Sequence, residues 1–134
     1  MKKVLILMAT YNGAKYLDEQ IQSLIEQKNV QVDILVRDDG STDNTIEVLN
    51  KWKEQNKLEW YKGKHLNVQF GFYDLMERAR TRDVDYLAFC DQDDVWDLDK
   101  LCIAVEKLEK LCNKSMPALY YCGQRLIKEN MKFI

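Results

Sequence analysis

The sequence predicts an α/β domain: a mostly parallel sheet with helices on both faces. Three observations carry that prediction. Short, continuous apolar runs alternate with longer segments of helical periodicity. The connections between them are only a few residues long. The polar residues with useful chemistry collect just after the strands. Strand–helix–strand order with short connections implies right-handed crossovers and a sheet covered on both sides.

Val4-Leu5-Ile6-Leu7-Met8 is a β-rich run without a polar break, the pattern of a strand buried on both faces. From Ala14 to about Lys28, Leu17, Ile21, Leu24 and Ile25 fall on one helical face. Val32 to Val36 is the second buried strand. Ser41-Thr42-Asp43 then clusters helix N-cap formers ahead of Ile46, Leu49 and Trp52 at helical spacing. Leu58 to Tyr61 is a short third strand, and Phe72, Leu75, Met76 and Ala79 mark the third helix. Val84 to Cys90 is the fourth strand. Leu98, Leu101, Cys102, Val105, Leu108 and Cys112 trace a fourth helix, and Ala118 to Cys122 is expected as a fifth strand behind Pro117.

Composition bounds the function. A chain of 134 residues suits one domain, residues 1–134, with no linker and no internal repeat. Such a domain buries somewhat over ~65% of its unfolded surface, enough for a core. The mixture of 46% hydrophobic and 31% charged residues is that of a globular protein. Net charge is −2, with 20 Lys+Arg against 22 Asp+Glu, so no basic face drives binding to nucleic acid or an anionic bilayer. The longest apolar run, Val4 to Ala9, falls far short of the ~20 residues of a membrane helix, and Thr10-Tyr11-Asn12 follows it without a cleavage signal. The chain therefore reads as cytoplasmic. Cys90, Cys102, Cys112 and Cys122 lack metal-site spacing and read as reduced core thiols.

In open α/β sheets, ligands bind beyond the carboxyl ends of the strands, where strand order reverses. Here the loops at those ends are Thr10-Tyr11-Asn12-Gly13, Arg37-Asp38-Asp39-Gly40-Ser41 and Asp91-Gln92-Asp93-Asp94. Adjacent carboxylates repel and raise one another's pKa, and a fold tolerates such a cluster cheaply when a cation or a set of donors neutralises it. Asp38-Asp39-Gly40-Ser41 also suits a turn with a helix cap, and the two readings stand side by side. Asp91-x-Asp93 follows Tyr86-Leu87-Ala88-Phe89-Cys90, too apolar for a solvated surface strand. Two carboxylates one residue apart at its end can converge on a hard divalent cation, Mg²⁺ or Mn²⁺. Tyr11 offers a flat face for a nucleobase, and Asp39 an acceptor for the imide N–H of uracil or thymine. A rim aromatic is the plainer reading of Tyr11, and a loop histidine that of His65.

Together these residues resemble family 2 of the nucleotide-sugar glycosyltransferases, with the Rossmann-like GT-A fold. The carriers are Ala9-Thr10-Tyr11-Asn12-Gly13, Val36-Arg37-Asp38-Asp39-Gly40-Ser41-Thr42-Asp43, and Phe89-Cys90-Asp91-Gln92-Asp93-Asp94-Val95-Trp96. The last looks most like the rhamnosyltransferase-like branch of bacterial surface polysaccharide synthesis. The resemblance runs from Lys3 to about Ile127. It implies a nucleotide-sugar site of Ala9, Thr10, Tyr11, Asn12, Asp38, Asp39, Asp91 and Gln92. It further implies that Asp93, with Asp91, holds Mn²⁺ or Mg²⁺ on the diphosphate of a UDP- or dTDP-sugar. The implied reaction is inverting transfer to a saccharide or lipid-linked acceptor, at the inner face of the membrane for the full enzyme.

His65-Leu66-Asn67 stands where the family has an Asn-Leu-Gly turn, with Asn67 expected to take the left-handed conformation. Gly123 stands where an acidic residue is common. The family's catalytic base and acceptor segments lie well beyond Ile134, so the expectation is a domain truncated on its acceptor side, with no residue here promoted to base. Two alternatives are a phospho-receiver-like signalling module and an inactive nucleotide-binding remnant that pairs with another copy or chain. Leu126, Ile127, Phe133 and Ile134 are the apolar positions for such pairing. The receiver reading lacks its acidic pair after the first strand, its Asp after Tyr61 and its Lys after the fifth strand.

Overall fold

The computed structural model describes residues 1–65, 67–111 and 116–128. Four strands alternate with four helices: β1 (Lys2–Thr10), α1 (Ala14–Ile25), β2 (Val30–Asp38), α2 (Thr45–Glu54), β3 (Glu59–Lys62), α3 (Val68–Ala79), β4 (Tyr86–Cys90) and α4 (Lys100–Leu111). The strands form one sheet in the order β3-β2-β1-β4, and every pairing is parallel.

The period of two along β1 sorts its side chains onto two cores. Val4, Ile6 and Met8 join Leu17, Ile21 and Leu24 of α1, Leu49 and Trp52 of α2 and Leu101 of α4. Leu5 and Leu7 face the other way, against Leu75 and Ala79 of α3. The distribution of helices follows from crossover handedness. The chain steps from β1 to β2 to β3 in one direction, which puts α1 and α2 on one face. The return from β3 to β4 reverses that direction and carries α3 across the opposite face. The reversal leaves β1 between β2 and β4, and the carboxyl ends of these three strands form the crevice.

Several expectations are corrected. The described part of the fifth-strand region contains no strand: Leu119 is 79% and Tyr121 87% exposed. An apolar run becomes a strand only when a neighbour completes its hydrogen-bond ladder, and this run does not pair with β4, where the sheet ends among the described residues. β4 is accordingly an edge strand among the described residues, with Leu87 and Phe89 exposed rather than buried. Asn67 takes φ −68° and ψ 162°, an extended N-cap whose side chain accepts the Phe70 N–H, so no left-handed turn is needed. Cys90 is buried, but Cys102 is only half-buried and Cys122 exposed, so the core-thiol reading holds for Cys90 alone of these three. Leu126 is exposed and Ile127 partly so. Leu66, Cys112, Phe133 and Ile134 lie outside the described residues.

Candidate functional site

The loop after β1 is held by both of its neighbours. Asn12 has φ +49°, a left-handed conformation that Asn adopts more readily than other residues with a Cβ. Its side-chain oxygen accepts the Thr42 N–H at 2.8 Å, and its own N–H donates to Ser41 Oγ at 2.8 Å. The Gly13 N–H reaches Thr45 Oγ1 at 2.9 Å, and the Ala14 N–H reaches Asp43 Oδ2 at 3.2 Å. The expected cap cluster Ser41-Thr42-Asp43 therefore also ties the β2 loop to the β1 loop. Asn44 is the N-cap of α2 and makes no side-chain cap bond.

From the other side, Gln92 grips the same loop. Its Oε1 accepts both the Thr10 hydroxyl and the Tyr11 N–H at 2.8 Å, and its Nε2 donates to the Tyr11 carbonyl at 3.2 Å. Gly13 leaves the room: a Cβ there would stand 2.9 Å from the Gln92 amide carbon. Thr10 is buried at the end of β1, and Ala9 packs on the α3-side core. Among the residues named for nucleotide binding, Thr10, Asn12 and Gln92 thus spend their polar groups on fixing the loop, while Tyr11 stays 45% exposed on top of it.

Asp38 and Asp39 divide the two roles that their motif allowed. Asp38 is fully buried, and its Oδ2 accepts the Gly40 and Ser41 N–H groups at 3.0 Å each, a side-chain-closed turn. Gly40 takes φ +88° inside that turn. Asp39 continues the sheet edge, its N–H on the Thr10 carbonyl at 2.9 Å. Its carboxylate is bound by Arg37. The His65 ring lies beside it, with Nδ1 3.2 Å from the Asp39 carbonyl and its centroid 5.1 Å from that of Tyr11. Burial pushes the Asp39 carboxyl above its ordinary pKa. The Arg37 guanidinium and His65 pull it back, and Asp38 and Asp74 add to the push. Tyr11, His65 and Asp39 together form a small wall with one aromatic face and one acceptor edge.

Asp91 and Asp93 stand at the end of β4, on the far side of the β1 loop. Both are exposed, and among the described residues neither side chain has a hydrogen-bond or ion-pair partner. Asp94 is less exposed; burial and the repulsion of Asp91 and Asp93 raise its pKa, and Lys100 opposes them. No group of three His, Cys, Asp or Glu among the described residues is assembled to hold a metal by itself. The donor set is oxygen-only, anionic and open to solvent. It suits Mg²⁺ or Mn²⁺, which take one or two carboxylates and complete their shell with water and phosphate oxygens. Trp96 is buried where the loop turns back, its backbone N–H on Ser23 Oγ at 3.1 Å and Lys100 Nζ 3.9 Å over its ring.

Sequence reasoning placed Arg37 in the loop and gave it no task. The structure places it inside β2 and buries it to 1% exposure. The available signal was an arginine closing a run of buried strand residues, since Arg is almost never fully buried unless paired.

This parallel sheet, with Tyr11, Asp39 and the Asp91–Asp93 pair at the carboxyl ends of its strands, is an α/β unit of the GT-A kind. The sequence model of the family described as Glycosyl transferase family 2 matches residues 5–129. The chain belongs to that family. It is 36% identical over 131 residues to the dTDP-rhamnosyl transferase RfbG of Shigella flexneri, covering 88% of this chain and 43% of the relative. The structure of S. aureus TarS 1-349 in complex with UDP-GlcNAc superposes with TM-score 0.62 at 26% identity, over 82% of this chain and 32% of that one. The mannosyltransferase PcManGT from Pyrobaculum calidifontis, in complex with GDP-Man and Mn²⁺, shares the fold with TM-score 0.65 at 24% identity, over 80% of this chain and 32% of that one. The chain spans under half the length of RfbG and about a third of these two structures. The rhamnosyltransferase-like resemblance and the GT-A fold are thus both met, and the phospho-receiver reading is not favoured.

Proposed function

We propose that this domain binds the nucleoside-diphosphate part of a UDP- or dTDP-sugar together with Mn²⁺ or Mg²⁺. The observation that carries the reading is the pair Asp91 and Asp93, exposed and, among the described residues, unpaired at the end of β4 beside the braced Tyr11 loop. Two exposed carboxylates one residue apart offer an anionic oxygen pair that a hard divalent cation can share with water and phosphate oxygens. Tyr11 and His65 flank the base, and Asp39 accepts the imide N–H. Asp91 lies toward the ribose, and Asp93 would hold the metal. RfbG carries a dTDP-sugar in its name, TarS was solved with UDP-GlcNAc, and PcManGT with Mn²⁺.

When a sugar leaves its donor, negative charge develops on the β-phosphate, and a bound divalent cation supplies stabilisation there. The protein's own residues orient the donor: the Asn12 and Gln92 clamps fix the β1 loop, and the Arg37–Asp39 pair fixes the base. For the whole protein we extend the proposal to inverting transfer to a saccharide or lipid-linked acceptor on the cytoplasmic side of the membrane.

Calorimetric titration of UDP and dTDP, each with and without Mn²⁺, tests the reading. Binding that Mn²⁺ strengthens and a chelator removes is expected. Metal-independent binding, or none, overturns the site assignment.

A further inference from the structure

Arg37 ends β2 among buried residues, and each of its three guanidinium nitrogens has a partner. Nε donates to Asp74 Oδ2 at 3.0 Å, Nη2 to the Lys64 carbonyl at 2.6 Å, and Nη1 to Asp39 Oδ1. Asp74 also accepts the Tyr61 hydroxyl at 2.6 Å, and Arg78 lies 3.7 Å over the Tyr61 ring. Two glycines make the slot. A Cβ on Gly63 would stand well inside van der Waals contact with the guanidinium, and one on Gly71 would stand 3.0 Å from Nη1. The fork thus joins β2, the β3–α3 connection and α3 to a single carboxylate oxygen. Asp39 Oδ2 is not taken by the fork.

We propose that Arg37 is a positioning residue for base selection: seated in the Gly63–Gly71 slot, it holds Asp39 as an acceptor-only group, so the site takes an imide base, uracil or thymine, over cytosine. The inference rests on the donor-binding reading above. Its chemistry is that of a single edge. Uracil and thymine present N3–H as a donor where cytosine presents a bare N3 acceptor, and a carboxylate can answer only the first. Burial raises the Asp39 pKa, towards the protonated form whose O–H donates and meets either base. The charged fork on Oδ1 opposes that protonation and fixes the plane in which Oδ2 points. The groups facing Asp39 are Arg37, His65, Asp38 and Asp74. The two carboxylates among them make the arginine more necessary.

The test is calorimetry of UDP against CDP in Mn²⁺, because the two ligands differ only in the base. Three proteins are compared from pH 6 to pH 8: the unaltered chain, Arg37→Lys and Gly63→Ala. The unaltered chain should prefer UDP by about tenfold or more, the range of a hydrogen bond to a charged group, with a ratio flat across that interval. A chain that binds neither nucleotide refutes the donor-binding reading itself, whereas one that binds both equally leaves that reading standing and refutes base selection by Asp39. In both variants UDP affinity should fall at least about fivefold while CDP affinity holds, and the loss should be greater at pH 6 than at pH 8. Equal losses for both nucleotides, or an unchanged ratio, overturn the positioning role, since a purely structural arginine would not distinguish the bases. Circular dichroism and melting confirm the fold of each variant, and Gly63→Ala carries the test if Arg37→Lys does not fold. The unaltered chain supplies a further criterion without any substitution: a UDP preference that already collapses between pH 8 and pH 6 shows that Asp39 is not held ionised, and the proposal fails.

Discussion

Replacing Gln92 with Ala is expected to loosen the β1 loop and weaken nucleotide binding, although Gln92 contributes no charge. The substitution removes two accepted hydrogen bonds at 2.8 Å and one donated at 3.2 Å. The partners differ in what they lose. Thr10 is 2% exposed, so its hydroxyl is left short of an acceptor, at a cost of about 1–3 kcal/mol. The Tyr11 amide and carbonyl sit under an exposed residue and can turn to water, which reduces their share to a few tenths of a kcal/mol each. The sum is roughly 1.5–3.5 kcal/mol. With unfolding entropy near 2.1 cal/mol/K per residue over 134 residues, that corresponds to a fall in Tm of roughly 5–12 °C. Differential scanning calorimetry reads the shift, and UDP titration in Mn²⁺ reads the accompanying loss of affinity. A Gln92→Ala protein with Tm within about 1 °C of the unaltered chain and undiminished UDP affinity would refute the clamp.

Other consequences follow from the same geometry. Leu75 is fully buried in the smaller core, which α3 alone covers, so Leu75→Ala should cost about 2–5 kcal/mol in a urea melt without altering which nucleotide is preferred. Stability should also fall on the acid side. The hydrogen bond from Arg82 holds Glu59 below its ordinary 4.5 despite some burial, and the Lys3 N–H holds Asp85 below its ordinary 3.8. Groups whose folded pKa is lowered contribute stability that is complete above the unfolded value and lost as pH falls through the folded one. The urea midpoint should therefore be flat between pH 8 and 6 and drop below about pH 4.5, with Arg82→Met flattening part of the drop. Asp39 has the opposite sign, since burial raises it, and protonating it relieves a cost.

Much of this was legible along the chain because local pattern decides it. Apolar runs such as Val4 to Met8 and the periodic Leu17, Ile21 and Leu24 located strands and helices, and alternation led to the parallel sheet. The loops at the strand ends were equally readable, since Asp, Asn, Gly and Ser mark turns and sites alike. What escaped depends on partners far away in sequence. Gln92 grips Thr10 across 82 positions, and Arg37 meets Asp74 across 37. No local signal says that Gln92 braces a loop, or that Gly63 and Gly71 are empty to admit a guanidinium. The fifth strand failed for a related reason: Ala118 to Cys122 has strand composition, but a strand is completed by a neighbour, and among the described residues this run pairs with none.

On the proposed reading, Asp93 and a donor diphosphate share a divalent cation at the end of β4. The most direct measurement is the ratio of UDP affinities with and without Mn²⁺, in the unaltered chain and in Asp93→Asn. The ratio should be about tenfold or more for the unaltered chain and near one for Asp93→Asn, with the fold intact. Equal ratios in the two proteins would contradict that reading.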